Sequence, residues 1–111
     1  MPTSVVKYNH VAVLTSKDDF TRDSIDQFRH AAKKCVEEGF NSLVLDCAHV
    51  GAIDSVGLET LLEMQDKCED LVGCVKLCAL DETIERILTI TRLIRRFETF
   101  PDLDSAVRSF S

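Results

Sequence analysis

The chain has 111 residues, with 13 Lys and Arg against 19 Asp and Glu, for a formal net charge of −6. That length fits one domain, residues 1–111, and a hydrophobic content of 45% is enough for a core, which excludes a disordered chain. The acidic balance excludes a nucleic-acid binder working through a basic face. Apolar runs such as Val11-Ala12-Val13-Leu14 fall far short of the roughly 20 residues of a membrane-spanning helix.

Met1 to Lys7 lacks the charged start and apolar stretch of a secretory leader, so the expected setting is cytoplasmic. Val5 to Leu14 is rich in β-branched and apolar residues and suits one strand or the second half of a hairpin. Thr15 to Thr21 is polar and reads as a loop. From Arg22 to Glu38, Ile25, Phe28, Ala32, Cys35 and Val36 recur at three- and four-residue steps, the stripe of an amphipathic helix. Gly39 is a natural stop for it.

Leu43-Val44-Leu45 is a short continuous apolar run of the kind that fits a central strand covered on both faces. A loop from Asp46 to Asp54 leads to a second helix starting near Ser55, with Leu58, Leu61, Leu62 and Cys68 on one face. Val75, Leu77 and Ala79 alternate with Lys76 and Cys78, a further strand. Asp81 and Glu82 open a third helix, with Ile84, Ile87, Leu88 and Thr91 as its stripe and Arg92, Arg95 and Arg96 as a solvated end, in keeping with the helix dipole. Phe97 to Phe100 is a short strand, and Pro101-Asp102 leads into a last helix facing inward through Leu103, Ala106, Val107 and Phe110. Strands alternating with helices imply an α/β fold with parallel strands and helical crossovers. The expected core is Val13, Leu43, Val44, Leu45, Leu58, Leu61, Leu62, Val75, Leu77, Ile87 and Leu88.

In such folds sites favour the loops beyond the carboxyl ends of the strands, which directs attention to the loop after Leu45. Ser55 falls at or next to the cap of the second helix, where a side-chain oxygen accepts a free amide of the first turn. The same free amides and the positive end of the dipole favour an anion, so a phosphate on Ser55, worth about −1.5 to −2 charges, is tolerated by the helix and costly beneath a docked partner. Gly57 costs roughly 0.5–1 kcal/mol relative to Ala in a helix, for which either close approach of a partner or tight packing is a reason. His49 is the sole base in reach of Ser55, but Gly-x-Ser-x-Gly is lacking and hydrolysis is disfavoured. The four glycines are too dispersed for a nucleotide loop, and no cofactor motif is present. Cys35, Cys47, Cys68, Cys74 and Cys78 are odd in number and irregular in spacing, which suits reduced, buried thiols rather than disulfides or a metal site.

Asn41-Ser42-Leu43-Val44-Leu45-Asp46, then Val50, then Ile53-Asp54-Ser55-Val56-Gly57-Leu58 resembles the central strand and phosphorylation loop of STAS domains, specifically the bacterial anti-sigma factor antagonists. Their hallmark is Asp-Ser-x-Gly-Leu at the start of the second helix. Ile87-Leu88 through Leu93 to Phe97, and Pro101-Asp102-Leu103 with Ala106, match the family's tail. The resemblance implies a mixed, largely parallel sheet of four to five strands with about four helices, and a non-enzymatic switch. Its unphosphorylated form binds an anti-sigma factor that is itself a serine kinase, phosphorylation at the serine matching Ser55 ends that binding, and a metal-dependent serine phosphatase restores it. Asp54, Ser55 and Gly57 match the motif. The family's first loop carries Gly-Glu-x-Asp, of which Ser16-Lys17-Asp18-Asp19 keeps the last acid, so Asp19 joins the expected partner-binding residues. A Gly common after the family's third helix is replaced by Arg92. No cofactor, nucleic acid or membrane is expected, and the chain is expected as a monomer or weak dimer. The alternatives are a STAS scaffold or transporter-associated subunit with Ser55 purely a cap, and a small enzyme using His49.

Overall fold

Val5 to Leu14 resolves into two strands in the computed structural model, which describes residues 3–110. Met1, Pro2 and Ser111, which belong to the expected domain and, at its start, to the segment read for a leader, lie outside the described residues. β1 (Thr3–Tyr8) and β2 (Val11–Ser16) form an antiparallel hairpin that turns at Asn9, whose φ of +55° is a left-handed conformation that asparagine tolerates. β2, β3 (Ser42–Asp46), β4 (Cys74–Cys78) and β5 (Glu98–Phe100) then run parallel, and the sheet order is β1-β2-β3-β4-β5. The Leu43-Val44-Leu45 run is the central strand, buried on both faces as its apolar continuity requires.

The connecting helices are α1 (Ile25–Glu37), α2 (Ser55–Asp70), α3 (Glu82–Ile90) and α4 (Leu103–Arg108), with a 3₁₀ turn at Leu93–Arg96. α1 begins three residues later than its pattern suggests: Ser24, at φ −125° and ψ −7°, is its N-cap, and the Arg22 amide is bonded instead to the side chain of Asp54 across the neighbouring loop. It stops at Glu37, and Gly39 follows at φ +100°, a conformation that favours glycine. One face of the sheet, through Leu14, Leu43, Leu45 and Leu77, packs with residues of α1, α2 and α3. The other, through Val11, Val13, Val44 and Cys78, packs on α4. Leu58, Leu62 and Ile87, expected in the core, are only partly buried, while Phe20 and Phe28 fill it with their rings 4.7 Å apart.

Lys76 departs from a simple polar alternation. It is buried under α4, with Nζ 2.9 Å from Ser109 Oγ, 3.1 Å from Glu98 Oε2 and 4.1 Å from the Phe110 ring centroid. A charge is taken out of water there only because a carboxylate, a hydroxyl and an aromatic face replace its hydration. The arginines after α3 are likewise more than a solvated end. Arg96 reaches α2 and holds Asp66 at 2.7 Å and Glu69 at 3.0 Å. Arg92 sits at φ +66°, which explains why glycine suits that position in the resembled family. All five cysteines are free, and four are buried. Burial pushes the thiol of Cys68 up to about 11 and that of Cys78 up to about 12, so both stay protonated at neutral pH.

Candidate functional site

β2 and β3 lie side by side and parallel, so the loops that leave their carboxyl ends, 17–24 and 47–54, emerge together. A backbone ladder joins them. Phe20 N–H donates to the Ala52 carbonyl at 3.0 Å, and Asp54 N–H donates to the Phe20 carbonyl at 3.1 Å. Asp19 adds a side-chain tie, its Oδ1 accepting from Gly51 N–H at 2.8 Å and Ala52 N–H at 3.1 Å. Phe20 anchors the pair by burying its ring in the core. The segment that leads into α2 is therefore held as an extra strand-like pairing, with Phe20 opposite Ile53.

Asp54, not Ser55, is the N-cap of α2. Its Oδ1 accepts from Gly57 N–H at 3.0 Å while Oδ2 accepts from Arg22 N–H at 2.9 Å, so one carboxylate caps the helix and ties both loops. One of the first-turn amides expected to be free for an anion is thus already taken. The Arg22 and Gly57 amides hold the Asp54 carboxyl below the usual range. A carboxyl depressed in the folded state contributes stability that is present above its unfolded value, near 3.9, and lost as pH falls through the folded value. The thermal midpoint of wild type is accordingly expected to exceed that of Asp54→Asn at neutral pH, with the gap closing as the solution is acidified below about pH 4. A gap independent of pH would show that the charge of Asp54 plays no part.

Ser55 occupies the first position of α2 with its side chain exposed. Because the cap is supplied by its neighbour, the hydroxyl is spare. Gly57 lies two residues on but is buried, and a Cβ built there would stand 2.0 Å from the Phe20 carbonyl oxygen. Of the two reasons weighed for that glycine, tight packing is the one seen: Gly57 offers no open surface and instead lets α2 seat against the first loop. Asp19 is exposed at the rim. The structure therefore brings Asp19, Asp54 and Ser55 to one surface with Gly57 beneath it. His49 is exposed in the same loop, and among the described residues no hydrogen bond joins it to Ser55. Phe20 and Arg22, which organise the site, have no motif in the sequence. The only hint is one phenylalanine in an otherwise polar stretch.

Among the described residues no group of three or more His, Cys, Asp or Glu side chains is placed to hold a metal ion, and no helix is long and apolar enough to cross a membrane.

The STAS domain family model matches residues 3–106. No curated protein matches the sequence. Among solved structures, one described as an anti-sigma factor antagonist from Thermotoga maritima superposes with a TM-score of 0.90 at 19% identity, covering 96% of this chain and 92% of that one. An anti-sigma factor antagonist from Mycobacterium paratuberculosis gives 0.85 at 24% identity, covering 96% and 91%. The phosphorylated form of the Bacillus cell fate determinant SpoIIAA gives 0.76 at 13% identity, covering 98% and 99%. At these identities the structures show a shared fold, and the family model spans nearly the whole sequence: the chain belongs to the STAS domain family.

Proposed function

We propose that this chain is an anti-sigma factor antagonist switched at Ser55. The unphosphorylated form binds an anti-sigma serine kinase through the surface that carries Asp19, Asp54 and Ser55. Phosphorylation of Ser55 ends that binding, and a metal-dependent serine phosphatase reverses it. The observation that carries this reading is the spare hydroxyl. Ser55 stands exposed at the start of α2 while Asp54 performs the capping, so a phosphate on it removes no structural bond. The same phosphate adds about −1.5 to −2 charges beside the Asp54 and Asp19 carboxylates, and a partner seated there has to strip its water. Desolvating an unpaired charge is costly enough to separate two proteins. The SpoIIAA relative has been solved both unphosphorylated and phosphorylated, which supports phosphorylation as a modification this fold can carry. The reading casts the chain as a binding module and assigns it no reaction of its own.

The test uses host extract. Unmodified protein is expected to capture a kinase, and ATP is expected to release it with phosphate on Ser55 by peptide mapping. Ser55→Ala is expected to stay bound after ATP. Ser55→Asp is expected to bind at least about tenfold more weakly than wild type, which is about 1.4 kcal/mol. Equal capture by wild type, Ser55→Ala and Ser55→Asp, before and after ATP, would overturn the switch and leave Ser55 as a bystander in a STAS scaffold.

A further inference from the structure

The two outer strands of the sheet are finished differently. β5 is three residues long, begins with the acidic Glu98 and runs straight into Pro101. Shortness, charge and proline all keep a sheet edge from pairing with another chain. β1 is six residues long, contains no proline, and is exposed from Ser4 to Tyr8. Its one cation, Lys7, is neutralised within the chain by Glu38 at 2.7 Å. Val5, Val6 and Tyr8, at 38%, 48% and 48% exposure, are half of the large apolar side chains left exposed among the described residues. α4 packs on β3, β4 and β5, and Val6 and Tyr8 extend the same face of the sheet beyond it, next to Val13 and Val11. An unpaired row of backbone donors and acceptors thus runs beside uncovered apolar side chains.

We propose that β1 pairs antiparallel with β1 of a second copy of this chain, joining two five-stranded sheets into one. The strand is compatible with itself. A twofold axis perpendicular to the sheet keeps like faces level and passes between the strands, midway between one residue and the same residue of the other copy. With that axis at Val5, Lys7 lies opposite Thr3; with it at Val6, Lys7 lies opposite Val5. Neither register sets Lys7 against its own copy, and both place β-branched residues across the junction, where such pairs stabilise a sheet. A different protein's strand is less well specified, because β1 carries no uncompensated charge to select one. The contact is small. Six residues span about 20 Å, and a strand is roughly 10 Å thick with its side chains, which is well below the roughly 1,200 Å² buried in stable complexes. The dimer therefore forms and dissociates with concentration.

Sedimentation equilibrium of the full chain from micromolar to millimolar concentration tests this. Wild type is expected to rise from the monomer mass toward twice that mass. Val6→Lys, which adds a charge to an exposed site on the edge, is expected to stay monomeric. Ile90→Lys, on an apolar side chain 72% exposed in α3, is expected to behave as wild type. Tyr8→Lys replaces Val6→Lys if the latter does not fold by circular dichroism. A monomer at every concentration, a dimer that survives the β1 substitution, or a dimer lost equally in Ile90→Lys would each overturn the proposal.

Discussion

Replacing Gly57 by alanine is expected to destabilise the protein by about 3 kcal/mol or more. Helix propensity alone predicts the opposite sign, because alanine is preferred to glycine in a helix by roughly 0.5–1 kcal/mol. The contact decides. A Cβ at residue 57 would lie 2.0 Å from the Phe20 carbonyl oxygen and 2.9 Å from both the Phe20 carbonyl carbon and Ile53 Cγ1. The atom in the way is backbone, and it accepts the Asp54 amide at 3.1 Å while the Phe20 amide is bound to Ala52. Making room means pulling the first loop off the second, lifting the Phe20 ring from the core and breaking the cap. For a domain near this size that loss corresponds to a fall in the thermal midpoint of more than about 10 °C. Ser55→Ala, two residues away and exposed, is expected to melt close to wild type. If Gly57→Ala melts at or above the wild-type temperature, the loops are not clamped as described, and the glycine is kept for a partner instead.

Gly57 also shows where sequence reasoning stops. The Asp-Ser-x-Gly-Leu stretch can be found by eye, and its place after Leu43-Val44-Leu45 follows from the apolar run and the rule about carboxyl ends of strands. Ser55 at the start of α2 and Gly39 after α1 are legible for the same local reason: caps and stops depend on a few neighbouring residues. The purpose of Gly57 is not legible, because its contact, Phe20, is 37 residues away in the chain and is brought there only by the parallel pairing of β2 and β3. Asp19 is singled out only by the resemblance, as a partner-facing acid, and its tie between the two loops is unseen until Gly51 and Ala52 are found to donate to it. Lys76 looks like the solvent side of an alternating strand, yet α4 covers it. The β1–β2 turn is hidden because Asn9-His10 lacks the glycine that usually marks a tight hairpin. In each case the pattern is local and the cause is tertiary.

Gln65 is a further position where that gap carries stability, and Gln65→Leu is expected to cost about 3 kcal/mol despite adding apolar bulk. Gln65 lies mid-helix in α2 and is 2% exposed. The parallel pairing of β5 with β4 begins at Lys76, so β5 has no residue in register with Val75. The side-chain amide of Gln65 supplies what is missing. Val75 N–H donates to Oε1 at 2.7 Å, and Nε2 donates to the Val75 carbonyl at 3.2 Å and to the Arg96 carbonyl at 2.5 Å. One side chain thus acts as a strand residue for β4 and fastens the turn that leads into β5. Leucine has a similar shape and leaves those backbone groups without a partner in a buried place, where each costs roughly 1–3 kcal/mol. Gln65→Glu separates the two halves of the amide. As a carboxylate it accepts from Val75 N–H but cannot donate to either carbonyl, and burial disfavours its charge. Its folded-state pKa is therefore raised, so its stability improves as pH falls and the protonated acid regains a donor. Urea titration checks both variants, with the midpoint lowered and the slope unchanged if the native fold persists. A loss below about 1 kcal/mol for Gln65→Leu would mean that water or a shifted backbone satisfies Val75, and that the amide is not what completes the edge of β4.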